Sequence, residues 1–450
     1  MMTTIPHADR RRFSERQITF GSSNHLLTNI NVWSYDGRWI YYDVRSDAAG
    51  SLFDGNRIER VHVESGRVEV VYEAKDAANV GVVTASPIDD RIVFIHGPEN
   101  PSEDWMYAAW HRRGVIVERK HDSAGTNYLV ATLDARDLVP PYTPGALRGG
   151  THVHVFSGDG RWVSFTYEDH VLATSTAAEA DANQRNVGVS VPIGQVRVPA
   201  THPRNHDGSM FSVLVTQTFN APLPGSDQIN RAYSDAWIGN NGYVRRDGSR
   251  QMRALAFIGD VVSDRGHTVP ELFVVDIPDD VTVDGDSPLC GTPLTRPAPP
   301  RGTVQRRLTF TTERKFPGLG PVRHWPRSSP DGSKIAFLMR DDAGRTQLWL
   351  ASPTESTIRQ LTHNDFSIES AFSFRCDGNA IACVAGGCVC EVDIATGTTT
   401  PLTPPADATN ALRPEAVVYS PDGTQVAYLR RDDSVDGTPN QIFVAKTQLG

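Results

Sequence analysis

The chain has 450 residues, 39% hydrophobic and 22% charged, a balance that sustains a buried core and excludes a disordered or collagen-like polymer. Its 44 Lys and Arg against 53 Asp and Glu give a net charge of −9 without a basic stripe, so the chain cannot neutralise a phosphate backbone and nucleic acid is excluded as a partner. No apolar run reaches the length of a membrane span, and none of signal-peptide length follows the opening MMTTIPHADRRRFSERQITF; the expectation is a cytoplasmic protein with no membrane partner.

In chain order, RQITF at 16–20 reads as a short strand with no strand partner before it. VWSYDGRWIYYDV from Val32 then sets a pattern: a Ser or Pro, an Asp-Gly turn, and an alternating apolar strand. The pattern returns as TASPIDDRIVFIHG from Thr84, VFSGDGRWVSFTY from Val155, SSPDGSKIAFLM from Ser328, FSFRCDGNAIACVAG from Phe372 and YSPDGTQVAYLR from Tyr419. A second word, RRLTF at 306–310, RQLTH at 359–363 and PLTP at 401–404, closes each unit as an outer strand. Repetition of one hairpin-based unit predicts a single all-β propeller of about seven four-stranded blades, with eight as the alternative. The blades fall near 21–75, 80–147, 148–200, 201–310, 311–363, 364–404 and 405–450. The orphan strand at 16–20 is expected to complete the last blade and remove its exposed edge.

Blade four is the least regular. Asp207-Gly208 and Asp247-Gly248 are too close together for two blades, so MFSVLVTQTF, ALAFIGDVV, ELFVVDIP and QRRLTF are expected as its strands. Insertions are expected at 98–147, 219–245 and the Pro-rich 278–302, where they shape a binding site or hold a protein partner. The aromatic run Trp105, Met106, Tyr107 and Trp110 separates these uses, since a docking surface requires it to face solvent.

Propeller inner strands surround one channel, so residues entering them converge at its mouth. Counting back seven residues from each turn Asp predicts a polar ring of Asn29, His152, His324, Ser370 and Glu415. Arg148, His154, Arg323, Glu369 and Arg413 lie beside ring members, and His25 and Asn31 flank Asn29. Strand alternation puts His152 and His154 on one face, so with His324 they form a candidate metal set completed by carboxylate or water. The arginines suit a carboxylate-bearing ligand. The competing reading for each histidine is a hydrogen bond at a strand start.

The five cysteines are an odd number, and all but Cys290 crowd into 376–390, unlike an exported disulfide framework. Gly386-Gly387 predicts a tight hairpin that sets Cys383 opposite Cys390 with Cys388 on the same face, three small buried hydrophobes rather than a metal site. G-x-S-x-G, P-loop, H-E-x-x-H and G-x-G-x-x-G signatures are all missing.

The SPDG hairpins preceded by RQLT resemble the TolB-like propeller repeat. Longer phrases, among them HLLTNINVWSYDGRWIYYDVRSD, PYTPGALRGGTHVHVFSGDG, PGSDQINRAY and ELFVVDIP, resemble the bacterial YidR family, a likeness that implies a fold and brings no activity with it. A more distant similarity, carried by His25, the H-V-H-V of 152–155 and Arg323-His324-Trp325, is to oligogalacturonate lyases, seven-bladed propellers with a histidine-held metal at the mouth. That similarity implies a divalent metal (Mn, Zn or Ca) on His152, His154 and His324, and a uronate carboxylate on Arg148, Arg323 or Arg413. The metal would acidify the adjacent carbon so that a base, unassigned here, removes its proton and expels the C4 sugar. The expected ligand is an acidic oligosaccharide or other anionic small molecule; the alternative is a non-catalytic propeller that binds protein. Long insertions and altered spacing around the histidines depart from the lyase pattern.

Overall fold

In the computed structural model, which describes residues 13–122, 125–432, 437 and 439–447, seven four-stranded antiparallel sheets form the blades of one propeller. Their first strands are Asn24–Leu26, Val80–Ala85, Gly149–Phe156, Ile229–Trp237, Arg327–Ser328, Ser373–Phe374 and Leu412–Tyr419. No helix among the described residues is long and apolar enough to cross a membrane.

The recurring Ser-x-Asp-Gly word has a specific physical role. In blade three the Ser157 hydroxyl donates to Asp159 Oδ1 at 2.6 Å and accepts the Trp162 amide at 3.0 Å, while Gly160 takes a φ of 66°. Ser34 with Asp36, Ser329 with Asp331 and Ser420 with Asp422 repeat this clasp at 2.5–2.6 Å, each followed by a glycine with positive φ. Blade six carries Arg375 in the serine position and binds the same carboxylate, Asp377, at 2.9 and 3.0 Å.

The ring closes through the N-terminus. Glu15–Gln17 is the outer strand of blade seven, with Glu15 opposite Ala445, Arg16 opposite Val444 and Gln17 opposite Phe443. The Tyr428 hydroxyl donates to Glu15 at 2.5 Å, and Ile18 is buried among Ile442, Val444, Leu26 and Val61, at the seam between blades seven and one.

The expected layout around blades two to four is corrected. Phe211–Leu214, from MFSVLVTQTF, pairs with Asn186–Val191 and is the outer strand of blade three. Blade four instead begins with Ile229–Trp237, inside the stretch 219–245 that was read as an insertion, and the supposed insertion 98–147 contains Arg113–Asp122 and Gly125–Thr132 of blade two. The signal was hidden because INRAYSDAW is followed by Ile-Gly-Asn-Asn-Gly in place of Ser-x-Asp-Gly. The Pro-rich 278–302 runs between the last two strands of blade four. Gly386 and Gly387 both take positive φ and place Cys383 opposite Cys390; burial pushes the Cys383 thiol up to about 12, so it is a neutral core group.

Three inner strands share a bulge. The pairing register slips between Gly81 and Thr84, between His152 and Val155, and between Tyr233 and Ala236. Inside each slip sits a residue of left-handed conformation: Val82 at φ 58°, Val153 at 57° and Ser234 at 56°. A β-branched side chain disfavours that region, so the bulge is held by its surroundings. It turns Val82, Val153 and Ser234 toward the mouth of the channel.

Two outcomes test this architecture. Ile18→Ala should lower the unfolding free energy by about 2–5 kcal/mol through loss of the closing contact, read by chemical denaturation. Val153→Gly relieves about 1–2 kcal/mol of left-handed strain and should leave the thermal midpoint level or higher. Val155→Gly, a buried site in ordinary strand conformation, should lower that midpoint clearly.

Candidate functional site

The mouth of the channel comprises two adjoining compartments that share Val153, Val322, Arg323 and Trp325. One, of about 410 Å³, is lined by His152, Arg185, Arg231 and Tyr233. The other, of about 450 Å³, is lined by Thr28, Asn29, Glu369 and Glu415. Blades far apart in the chain meet here because each inner strand runs toward the axis.

The first compartment is cationic. Arg231 and Arg323 make no ion pair among the described residues; their guanidinium groups lie 4.8 Å from the Tyr233 ring and 5.0 Å from the Trp325 ring. Arg185 is held by Glu168 at 2.9 Å. The Arg323 side chain is open to solvent, yet partial desolvation in the funnel and the like charges of Arg185 and Arg231 pull its pKa below the ordinary arginine value, with Glu415 acting the other way. His152 is buried and neither ring nitrogen has a hydrogen-bond partner. Burial and the charges of Arg112 and Arg185 hold it neutral, well below the usual histidine range.

The second compartment supplies acceptors. Burial raises the Glu369 carboxyl, which takes a long contact of 3.4 Å from the Gly387 amide. Glu415 Oε1 is held by Arg413 at 2.7 Å, whereas its Oε2 and the buried Thr28 hydroxyl have no partner.

His152, Asn29, Arg323, Glu369 and Glu415 therefore meet at one opening, and Arg413 stands behind Glu415. The other predicted residues are placed elsewhere. The bulge at Val153 breaks strand alternation, so His154 turns away from His152, donates to or accepts from Thr151 at 2.9 Å, and fills the space that a side chain on Gly114 would need. His324 lines the cationic compartment, but its Nδ1 meets the Val322 carbonyl at 2.9 Å and its Nε2 accepts the Leu338 amide at 3.1 Å. Ser370 does the same for the Val384 amide at 2.7 Å. The polar ring position in blades five and six thus replaces the backbone acceptor that their two-residue inner strands do not supply.

Arg148 is wholly buried, paired with Asp169 at 2.6 Å and stacked near Tyr142 at 4.9 Å. His25 packs on Tyr42 and meets the Asn440 carbonyl at 2.9 Å, stitching blade one to blade seven. Asn31 lines the opposite end of the channel. Arg185, Arg231 and Thr28 were missed: Arg231 lay in a presumed insertion, and Arg185 and Thr28 stand outside the counted ring.

The donor set does not fit a divalent cation. His324 has both nitrogens engaged, His154 points away, and no three metal-ligating side chains converge among the described residues. The positive charges of Arg112, Arg185 and Arg323, which already hold His152 neutral, would also repel the ion. The aromatic run is divided: Trp105 is buried and stacks on His111 at 3.6 Å, Tyr107 and Trp110 are half-buried with Tyr107 stacked on Phe53 at 5.0 Å, and Met106 is exposed.

Residues 79–206 match the family described as "Protein of unknown function (DUF3748)". Among solved structures, an oligogalacturonate lyase in complex with manganese overlays 96% of this chain and 93% of its own at a TM-score of 0.55 and 12% identity, a likeness of fold. TolB from Acinetobacter baumannii matches over 92% of this chain and 81% of its own at a TM-score of 0.34 and 13% identity, too loose a fit to bear on function. The uncharacterized protein YidR of Escherichia coli (strain K12) is 49% identical over 418 residues, 92% of this chain and 94% of the relative. That identity, spread along nearly the whole propeller, places the chain in the YidR family.

Proposed function

We propose that the mouth binds an acidic oligosaccharide, a uronate-bearing ligand whose carboxylate sits on Arg231 and Arg323. The carrying observation is the pair of guanidinium groups, neither in an ion pair among the described residues, beside a buried, unpartnered His152. A carboxylate there gains charge-assisted donors, of which Arg323 is already stripped of part of its water. His152, neutral and in the wall of the compartment, keeps one donor and one acceptor that no other side chain has engaged. Trp325, at the junction of the compartments, supplies an apolar face for a sugar ring. The acceptors of the second compartment suit further hydroxyl groups. A divalent metal is not part of this reading, because the donor set beside His152 does not fit one. The inward packing of Trp105 and Tyr107 supports ligand binding over the docking of a protein partner on that insertion.

Titration calorimetry with digalacturonate and with its neutral galactose counterpart tests the reading. Binding should favour the acid and weaken with salt. Arg231→Gln and Arg323→Gln should each cost about 1.5–3 kcal/mol, roughly 10- to 150-fold in Kd. Equal affinity for the neutral sugar refutes the assignment. Chelator treatment should leave affinity unchanged, and affinity should stay flat from pH 6 to 9, since the arginines remain charged and His152 uncharged; a step near the ordinary histidine pKa would show instead that His152 titrates in the complex.

A further inference from the structure

The opposite end of the channel holds a second polar anomaly. A pocket of about 250 Å³ lies where the Ser-x-Asp-Gly turns gather, with Asn31, Val155, Trp237, Arg327 and Arg375 among its walls. Arg375 is neutralised by Asp377 at 2.9 Å and Glu391 at 3.1 Å. Arg327 is not. It is 97% buried, its Nη2 donates to Asn29, and its Nε and Nη1 have no partner. No ion pair of Arg327 occurs among the described residues. Asp235, buried and with both carboxylate oxygens unpartnered, acts on it electrostatically from beyond ion-pair distance, and Asp235 is absent from the pocket wall.

A buried guanidinium with two bare donors is an expensive arrangement unless something accepts from it. Burial lowers its pKa to about 9, which still leaves it charged at neutral pH. Every blade contributes residues to the pocket, so the site is built by ring closure and not by one flexible loop. Its volume lies below the range of about 300–1,000 Å³ that holds drug-sized ligands, which restricts the occupant to a small group.

We infer that this pocket is a second ligand site, linked to the mouth through the contact of Arg327 with Asn29, in which Arg327 holds a small oxyanion, either phosphate or a carboxylate. The anion would accept from Nε and Nη1 while Asn29 keeps Nη2 in place, and would reach the site from the turn face of the propeller.

Thermal unfolding of the full chain in inorganic phosphate, in acetate and in chloride at matched ionic strength tests this. Phosphate or acetate should raise the midpoint by about 1–3 °C at ten to a hundred times its Kd, and the larger shift identifies the anion class. Arg327→Met should abolish the shift. Arg323→Gln, at the other end, should retain it, whatever that variant does to acidic sugars. No shift beyond chloride in the wild type, or an equal shift in Arg327→Met, overturns the assignment. If Arg327→Met does not fold, selenate soaked into wild-type crystals gives an independent reading: an anomalous peak beside Arg327 supports the site, and none at saturating selenate overturns it.

Discussion

The pairing of Glu15–Gln17 with the last strand of the chain, Asn440–Lys446, is the constraint on which the rest of the molecule depends. An open array of seven twisted sheets would have two free edges and no shared axis. One short strand of three residues, sealed by Ile18 in the core and by the Tyr428 hydroxyl on Glu15, turns that array into a ring. Only in a ring do Asn29, His152, Arg323 and Glu369, distant in number, face one opening.

Closure also creates buried space at the axis that apolar side chains do not fill. The two ends of that space differ in chemistry. At the mouth, bulged inner strands push Val82, Val153 and Ser234 inward and make room between them for His152 and the arginines. At the turn end, the clasped Ser-x-Asp-Gly loops consume most of their own polarity, and Arg327 is left without an ion pair among the described residues, with Asp235 acting on it at longer range. Strain held at three inner strands and unpartnered polar groups at both ends are the observations on which the two proposed ligand sites rest.

The histidines show why residue type alone was insufficient. His152, His154 and His324 occupy similar positions in the repeat or two residues away, yet one is buried in the wall of the mouth without a hydrogen-bond partner, one fills a gap left by a glycine, and one completes a backbone hydrogen-bond ladder. A lone pair spent on the Leu338 amide is not available to a metal. Arg148 makes the same point for cations: buried against Asp169, it anchors blade three and does not reach a ligand.

By itself the sequence determined the propeller and its N-terminal closure and narrowed the blades to seven or eight, because Asp-Gly turns and period-two strands act over a few residues and repeat visibly. It also located the opening where Asn29, His152, Arg323, Glu369 and Glu415 meet, since position in a repeat maps to position around an axis. Tertiary structure decided what those side chains do. A single bulge at Val153 reverses which face His154 occupies, a degenerate turn after Trp237 hides the strand that carries Arg231, and the length of an inner strand decides whether His324 answers to the backbone or to solvent. Such choices rest on register and on competition for hydrogen bonds between strands remote in the chain, and local sequence carries no record of them.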